Sequence, residues 1–559
     1  MTQEIYALYA DTYMVFQYVF QTRRYREIFG ASALLDAINR VEATGMLAGR
    51  SDAVVVSAGG GELRALFATE AGAAAYGEDL VALYQERTAG AVQLAYGIMG
   101  RAAGEPLADT FLRAQFALRR QEVEADLIET RLPLLPMVKA CESCGEQPAA
   151  VVARDGQHIC RVCEQKRAFG RELARWFRGD EYGGGKRSRR EIEAFEYLKK
   201  LKDEPFGSGL LDLYKTMVDS NRLDSMTYDT GALGDASREG SRVAFLYTDG
   251  NKMGQFFATL GGETPSGNDK EAMALPASLE ATLSDQDQRY LQNLRNASNQ
   301  VHERTVLSIQ KTIEEFPKMP VQVAMAGGDD GVMMVPADQA VPFAVRYAEI
   351  FESEMQEMIS AFTGSPHSAA APTAAVGMVI ARSSYPLHQL FTLGYDTMHE
   401  GKELSSKTGE SVFSWTILGA NDPPRIKRLT KKSIDASGIE DTYRLYGGPY
   451  SLAQMKELLD TAHEMHTMDF PRSKIKPFLR LLTLSPKVSQ YHWRQWRLHL
   501  TEKQNQLITE FHSKWGDAEA SESPWRACKD TPHKWRSPLG DLFQIYPYLG
   551  VKTGEKVRS

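Results

Sequence analysis

Two stretches of this chain repeat one another, and that repeat limits the fold more than any other feature. Ala7-Leu-Tyr-Ala-Asp11 matches Phe245-Leu-Tyr-Thr-Asp249, an apolar run closed by an aspartate. Ala58-Gly-Gly-Gly-Glu62 matches Ala326-Gly-Gly-Asp-Asp330, a glycine-rich turn between apolar runs. Around the first pair the pattern reads strand 6–11, helix 25–46, strands 53–57 and 63–67 across the glycine turn, helix 71–87 and strand 91–96. Around the second it reads strand 243–249, helix 290–316, a hairpin over 321–335, helix 340–362, strand 374–380, helix 386–406 and strand 411–415. A βαββαβ order of this kind predicts an antiparallel sheet with helices on one face, the ferredoxin-like or palm arrangement. The expected fold is α+β, with two palm domains.

The remainder divides around them. We expect a first palm over 1–135, a cysteine module over 136–170, a helical linker over 171–240, the second palm over 241–420 and a helical C-terminal domain over 421–559. With 559 residues there is room for roughly three to five domains. A polar insertion near 262–286 reads as a mobile loop. Cys141-x2-Cys144 and Cys160-x2-Cys163 are two chelating pairs with the spacing of a four-thiolate Zn²⁺ site. Four cysteines leave no open coordination position, so this Zn²⁺ is structural. The fifth, Cys528, has no partner pair. Clustered pairs point to metal in a reducing compartment rather than disulfides.

The chemistry concentrates where the two repeats differ. Val321 to Val335 reads as a hairpin with Gly327-Gly328-Asp329-Asp330 at its tip. Glycines there let the backbone turn and a ligand come close. Paired carboxylates on a rigid turn suit Mg²⁺ or Mn²⁺ held against a triphosphate. Asp249 ends the neighbouring strand, so all three aspartates can converge as a catalytic and metal-binding set. Gly250-Asn-Lys-Met-Gly254 leads into a helix whose first amides, from Asn251 to Gly254, can take phosphate oxygens. In the first palm Gly61 stands where Asp329 stands in the second.

Ala326-Gly-Gly-Asp-Asp-Gly331 and Thr248-Asp-Gly-Asn-Lys-Met-Gly254 resemble the nucleotidyl cyclase-type palm of the CRISPR-associated Cas10 family, also called Cmr2 or Csm1. Ala375-Val-Gly-Met-Val-Ile-Ala381, Tyr385-Pro-Leu387, Gly401-Lys402, the degenerate first palm and the cysteine module extend the likeness over nearly the whole chain. The resemblance implies cyclic oligoadenylate synthesis from ATP within a type III CRISPR effector complex that detects target RNA. It implies other subunits of that complex as partners, and it places a lysine near Lys402 close to the triphosphate. Many members carry an HD nuclease domain. This chain contains no His-Asp dipeptide and begins in the first palm, so no HD-type cleavage is expected.

Net charge is −7, so guide and target RNA are expected to be held mostly through partners. Local basic clusters are Lys186 to Arg190, Arg425 to Lys432, and Arg472 to Lys487 ahead of Trp493 and Trp496. The tryptophans read as core, and His463-x2-His466 as helix surface. No apolar run approaches a membrane span and the start is not a signal peptide, so a cytoplasmic protein is expected. Two other readings stand beside the first. One is a stand-alone nucleotide cyclase, oligonucleotide synthase or AMP-conjugating transferase. The other is a non-catalytic RNA-binding scaffold.

Overall fold

The computed structural model describes residues 5–22, 24–124, 137–177, 187–202, 210, 213–214, 217, 230–259, 273–363, 371–419, 430–434, 440–444, 448–515, 523–527 and 533–549. The fold is α+β. In the first palm, strands β1 (Tyr6–Tyr13), β2 (Ala53–Gly59), β3 (Glu62–Phe67) and β4 (Gln93–Gly100) pair antiparallel in the order β2-β3-β1-β4.

Helices cover both faces of this sheet, not one. Leu8, Ala10, Ala65 and Phe67 pack with Tyr76 and Leu80 of the helix Glu70–Arg87. Ala7, Tyr9 and Leu66 point the other way and pack with Leu107, Phe111 and Leu118 of the helix Leu107–Glu124. The cause lies in the first part of β1, where Tyr6 to Ala10 are all apolar or aromatic, as in a strand buried on both sides.

A two-stranded ribbon, β5 (Val151–Val152) and β6 (His158–Ile159), follows in the cysteine module. The second palm is built from β7 (Arg242–Asn251), β8 (Gln322–Gly327), β9 (Asp330–Pro336), β10 (Thr373–Arg382) and β11 (Val412–Ile417). Its order β10-β7-β9-β8 repeats that of β4-β1-β3-β2 in the first palm. It extends the βαββαβ order by one helix and one strand, those expected over 386–406 and 411–415. β11 adds in parallel beside β10, and Tyr450–Ser451 pairs beyond it.

A 31-residue helix, Asp285–Glu315, joins the two palms. Leu291 and Leu294 near its start enter the first palm's core together with Leu279 and Leu283. Asp287 pairs there with Arg101 at 2.9 Å. Part of the expected mobile insertion is therefore packed, because its leucines cap an apolar sheet face; residues 260–272 lie outside the described residues. The two glycine turns abut, so a Cβ placed on Gly328 would lie 3.8 Å from the Gly60 Cα.

The C-terminal part contains the expected helices, including Leu452–Thr467, Arg472–Leu482 and Pro486–Arg497. It also holds a small sheet of Thr430–Ile434, Glu440–Arg444, Lys534–Arg536 and Arg526–Ala527. Its strands are too short to leave an alternating pattern in the sequence. Trp493 and Trp496 are buried, as expected. Among the described residues, no helix is long and apolar enough to cross a membrane.

Candidate active site

The hairpin β8–β9 turns through Gly328 and Asp329, with Gly327 paired to Asp330. Gly328 has φ +61°, the left-handed value that a two-residue hairpin of type II′ needs at its first central position. Thr248 pairs with Gly331 across β7 and β9, so Asp249 and Asp330 extend side by side from adjacent strands. Asp329 folds back over Gly250, where a Cβ would lie 2.8 Å from its Oδ2. Gly250 is thus the residue that makes room for the third carboxylate. β7 runs on through Asn251, which pairs with Thr373 of β10 and donates from Nδ2 to the Thr373 hydroxyl at 3.2 Å. The Asn251 side chain is buried in the sheet, and Gly254, in the helix Met253–Thr259, is exposed.

Lys402, on the helix Leu387–Thr408, forms an ion pair with Asp249. Burial, followed by the neighbouring Asp249 carboxylate, pushes Asp329 up to about 7. Burial and then Asp329 and Asp249 hold Asp330 well above the usual carboxylate range. One lysine against three crowded carboxyls leaves the site short of positive charge, the condition under which a divalent cation binds and ionises its ligands. The donor set fits Mg²⁺ or Mn²⁺, which prefer carboxylate oxygens.

A cavity of about 500 Å³ lies between the palms. Thr12, Phe16 and Gly61 line it from the first palm; Gly327, Asp330 and Tyr247 line it from the second. Its size is that of a small-molecule site.

Residues 242–409 match the family of the Cas10/Cmr2 second palm domain. That stretch carries Asp249, Asp329, Asp330 and Lys402. A comparison with curated proteins finds no match. Among solved structures, the Csm1–Csm4 cassette in complex with cA3 aligns over 98% of this chain and 70% of its own, with a TM-score of 0.55 at 12% identity. The same cassette with one ATP gives 0.54 at 13% identity over 98% and 70%, and with pppApApA 0.53 at 12% over 98% and 69%. At such identity the likeness is one of fold.

The first palm explains by contrast why the Cas10/Cmr2 palm holds three carboxylates. Asp11 and Glu62 occupy the places of Asp249 and Asp330. Thr12 stands where Gly250 does, and its hydroxyl donates to the Gly61 carbonyl at 3.2 Å. Gly61 has φ +91°, and a Cβ there would lie 2.4 Å from Thr12 Oγ1. Each palm therefore keeps a glycine at one of two facing positions, and the two palms have chosen opposite ones. Glu62 is paired to Arg64 at 3.0 Å. Gly61→Asp is expected to destabilise the chain by about 2–4 kcal/mol through clash and backbone strain, without creating a second metal site. Thermal melts of Gly61→Asp and of Gly61→Asp with Thr12→Gly check this. The double variant should recover most of the loss, and a single variant that melts like the parent contradicts it.

Sequence reasoning missed His302. It is buried on the long helix, and its Nδ1 accepts the Gly328 amide at 2.9 Å. A backbone amide can only donate, so the ring is neutral with its proton on Nε2. Burial and the nearby Arg40 charge hold it well below the usual histidine range. The one available signal was a histidine next to Val301 of the apolar helix face.

The four cysteines come together as expected. Their Sγ atoms all lie within 4.8 Å of one another. The Cys144–Cys160 separation of 3.9 Å is close to the ~3.8 Å edge of a tetrahedron of 2.3 Å Zn–S bonds. It is far too long for a disulfide.

Part of the basic clusters is tied down. Lys186, Arg425, Lys427, Arg428 and Cys528 lie outside the described residues. Arg187 pairs with the buried Glu172, Arg189 and Arg190 pair with Glu193, and Arg472 pairs with Glu239. His463 and His466 are half-buried, and His466 stacks on Tyr546 at 4.3 Å.

Proposed function

We propose that this chain makes cyclic oligoadenylates from ATP as the synthase subunit of a type III CRISPR effector complex that responds to target RNA. The observation that carries the reading is the placement of Asp330. It lies on the wall of a cavity to which both palms contribute, with Asp249 and Asp329 beside it. A Csm1–Csm4 cassette of the same fold has been crystallised with ATP, with pppApApA and with cA3. By that likeness we assign ATP as substrate here, and type III subunits as partners through which guide and target RNA are held.

Asp249, Asp329 and Asp330 would hold Mg²⁺ or Mn²⁺, whose charge neutralises the triphosphate and acidifies the attacking hydroxyl. The 3′-oxygen of one adenosine attacks the α-phosphorus of the next ATP; the bond to pyrophosphate breaks, and the hydroxyl proton leaves to solvent. Gly327 and Gly328 let phosphates approach the backbone, with Gly250, Asn251 and Gly254 forming the adjoining edge. With divalent charge on Asp249, Lys402 would be free to reach the β- and γ-phosphates as a point charge. Tyr247 and Tyr395, with ring centroids 5.5 Å apart, offer faces on which a base can stack. The sequence has no His-Asp dipeptide, so nucleotide synthesis is the catalytic output we assign.

Mass spectrometry of products from ATP and Mn²⁺ tests this, with the chain alone and with its assembled complex, each with and without target RNA. Cyclic oligoadenylate and pyrophosphate should accumulate when complex and target RNA are both present. Equal product from the isolated chain selects a stand-alone synthase. An assembled complex that makes no nucleotide product in any arm leaves the scaffold reading and sinks the proposal.

A further inference from the structure

The metal-binding turn is held from outside its own hairpin. Its Gly328 amide sits at the first central position, outside the β8–β9 ladder, and its acceptor is His302 Nδ1 at 2.9 Å. A Cβ on Gly327 would lie 3.7 Å from His302 Cε1, so the Nδ1–Cε1 edge of the imidazole faces the turn. The other ring nitrogen, Nε2, is buried and meets no hydrogen-bond partner among the described residues. An unpaired buried N–H is costly, so an apolar side chain would serve this helix better if packing alone mattered. What the histidine provides in return is one directed acceptor beneath the two aspartates.

The helix that carries it is anchored elsewhere. Asp287 and His302 are 15 positions apart, and within that span the helix goes from the first palm to the second. Ser284 caps its start in a reciprocal box with Asp287. Asp287 also takes the Arg101 pair, and Leu291 and Leu294 are buried in the first palm's core. Further along, Val301, Ile309 and Ile313 belong to the core that includes β7, β8 and β9. A hydrogen-bonded α-helix is stiff over this length. The position of His302, and through it of Gly328, is therefore fixed relative to the first palm as well as the second.

We propose that His302 is a positioning residue that fixes the Gly327–Asp330 turn from a helix seated in the first palm, so that the carboxylates of one palm keep register with the cavity wall supplied by the other. The assignment rests on the metal-binding reading of the aspartates given above. It makes His302 a supporting residue of a metal site, a class whose loss weakens metal binding by about 10–100-fold.

The test uses the full chain with His302→Leu and His302→Asn. Asparagine can place its Oδ1 near the position of Nδ1, whereas leucine offers no acceptor. Mn²⁺ alone is titrated by electron paramagnetic resonance, hydrogen exchange is followed at the Gly328 to Asp330 amides, and melting is recorded. His302→Leu should bind Mn²⁺ about 10-fold or more weakly, exchange faster at the turn and melt close to the parent. His302→Asn should recover Mn²⁺ binding to within a few-fold. Where product is measurable, the leucine variant should lose kcat with little change in the KM for ATP. Turn amides that exchange in His302→Leu as they do in the parent overturn the assignment, whatever the chain synthesises. A parent that binds Mn²⁺ at these aspartates but forms no nucleotide product counts against the proposed activity and leaves the His302 comparison readable.

Discussion

Asp330→Ala reduces nucleotide product by about a thousandfold or more, since it removes a ligand facing developing charge inside the cavity. Asp329→Asn is expected to do the same, and its effect on the fold has the opposite sign. Asp329 is raised to about 7 by burial and by Asp249. A carboxyl whose folded value lies above its unfolded one costs stability once pH exceeds the unfolded value, and the cost is complete above the folded value. Metal-free parent protein should therefore lose stability as pH rises from about 4 to about 7, by up to about 4 kcal/mol. Asp329→Asn should flatten that dependence and melt higher than the parent at pH 8. Added Mn²⁺ should restore the parent and do little for the variant. Melting curves between pH 4 and 8, with and without Mn²⁺, give the answer. A variant destabilised across the whole range would mean that Asp329 is a structural residue of the turn.

This opposition between activity and stability separates what the sequence could reveal from what it could not. Glycine and aspartate are common in any turn; the aspartates were legible because Asp249 ends the strand upstream in the same βαββαβ order, and because Gly59-Gly60-Gly61 supplied an internal comparison. The reciprocal choice of glycine, Gly250 in one palm and Gly61 in the other, was present in the sequence as well. Its meaning needed the 2.4 Å and 2.8 Å approaches that only the folded strands reveal. Asp249 was found, but its partner Lys402 depends on how the helix Leu387–Thr408 lies over β7. His302 is 26 residues from Gly328 in sequence, and no local pattern predicts which helix face meets a turn so far away. The coverage of both faces of the first sheet was missed for a related reason. The helix Leu107–Glu124 falls after the βαββαβ pattern, and Leu279 to Leu294, which pack with it, come from the second palm's part of the sequence.

Stripping the cysteine cluster of metal, or replacing Cys160 with serine, is expected to unfold residues 137–177 and to loosen the cavity wall. Cys141, Cys160 and Cys163 are each 2% exposed or less. Four thiolates on one Zn²⁺ leave a doubly negative group, and this structure sets buried cations against it. Lys166, on the helix that begins after Cys160, is buried, donates to the Tyr18 carbonyl and lies 4.4 Å from the Tyr18 ring. Burial pulls its ammonium down and the Cys163 thiolate pulls it back up. Arg167 pairs at 2.6 Å with the fully buried Glu27, which also accepts the Thr22 and Ser143 hydroxyls. Protonated, metal-free thiols would leave Lys166 with little to balance it in a dry environment. Structural zinc contributes on the order of 10 kcal/mol in small modules, comparable with the whole stability of a typical domain. The damage should travel, because Val19 and Phe20 follow Tyr18 directly and line the cavity between the palms. Hydrogen exchange after chelation should therefore rise in two places, over 137–177 and over the helix Val15–Phe20, with ATP binding weakened in step. Faster exchange confined to the cysteine module would show that the cavity wall stands without it.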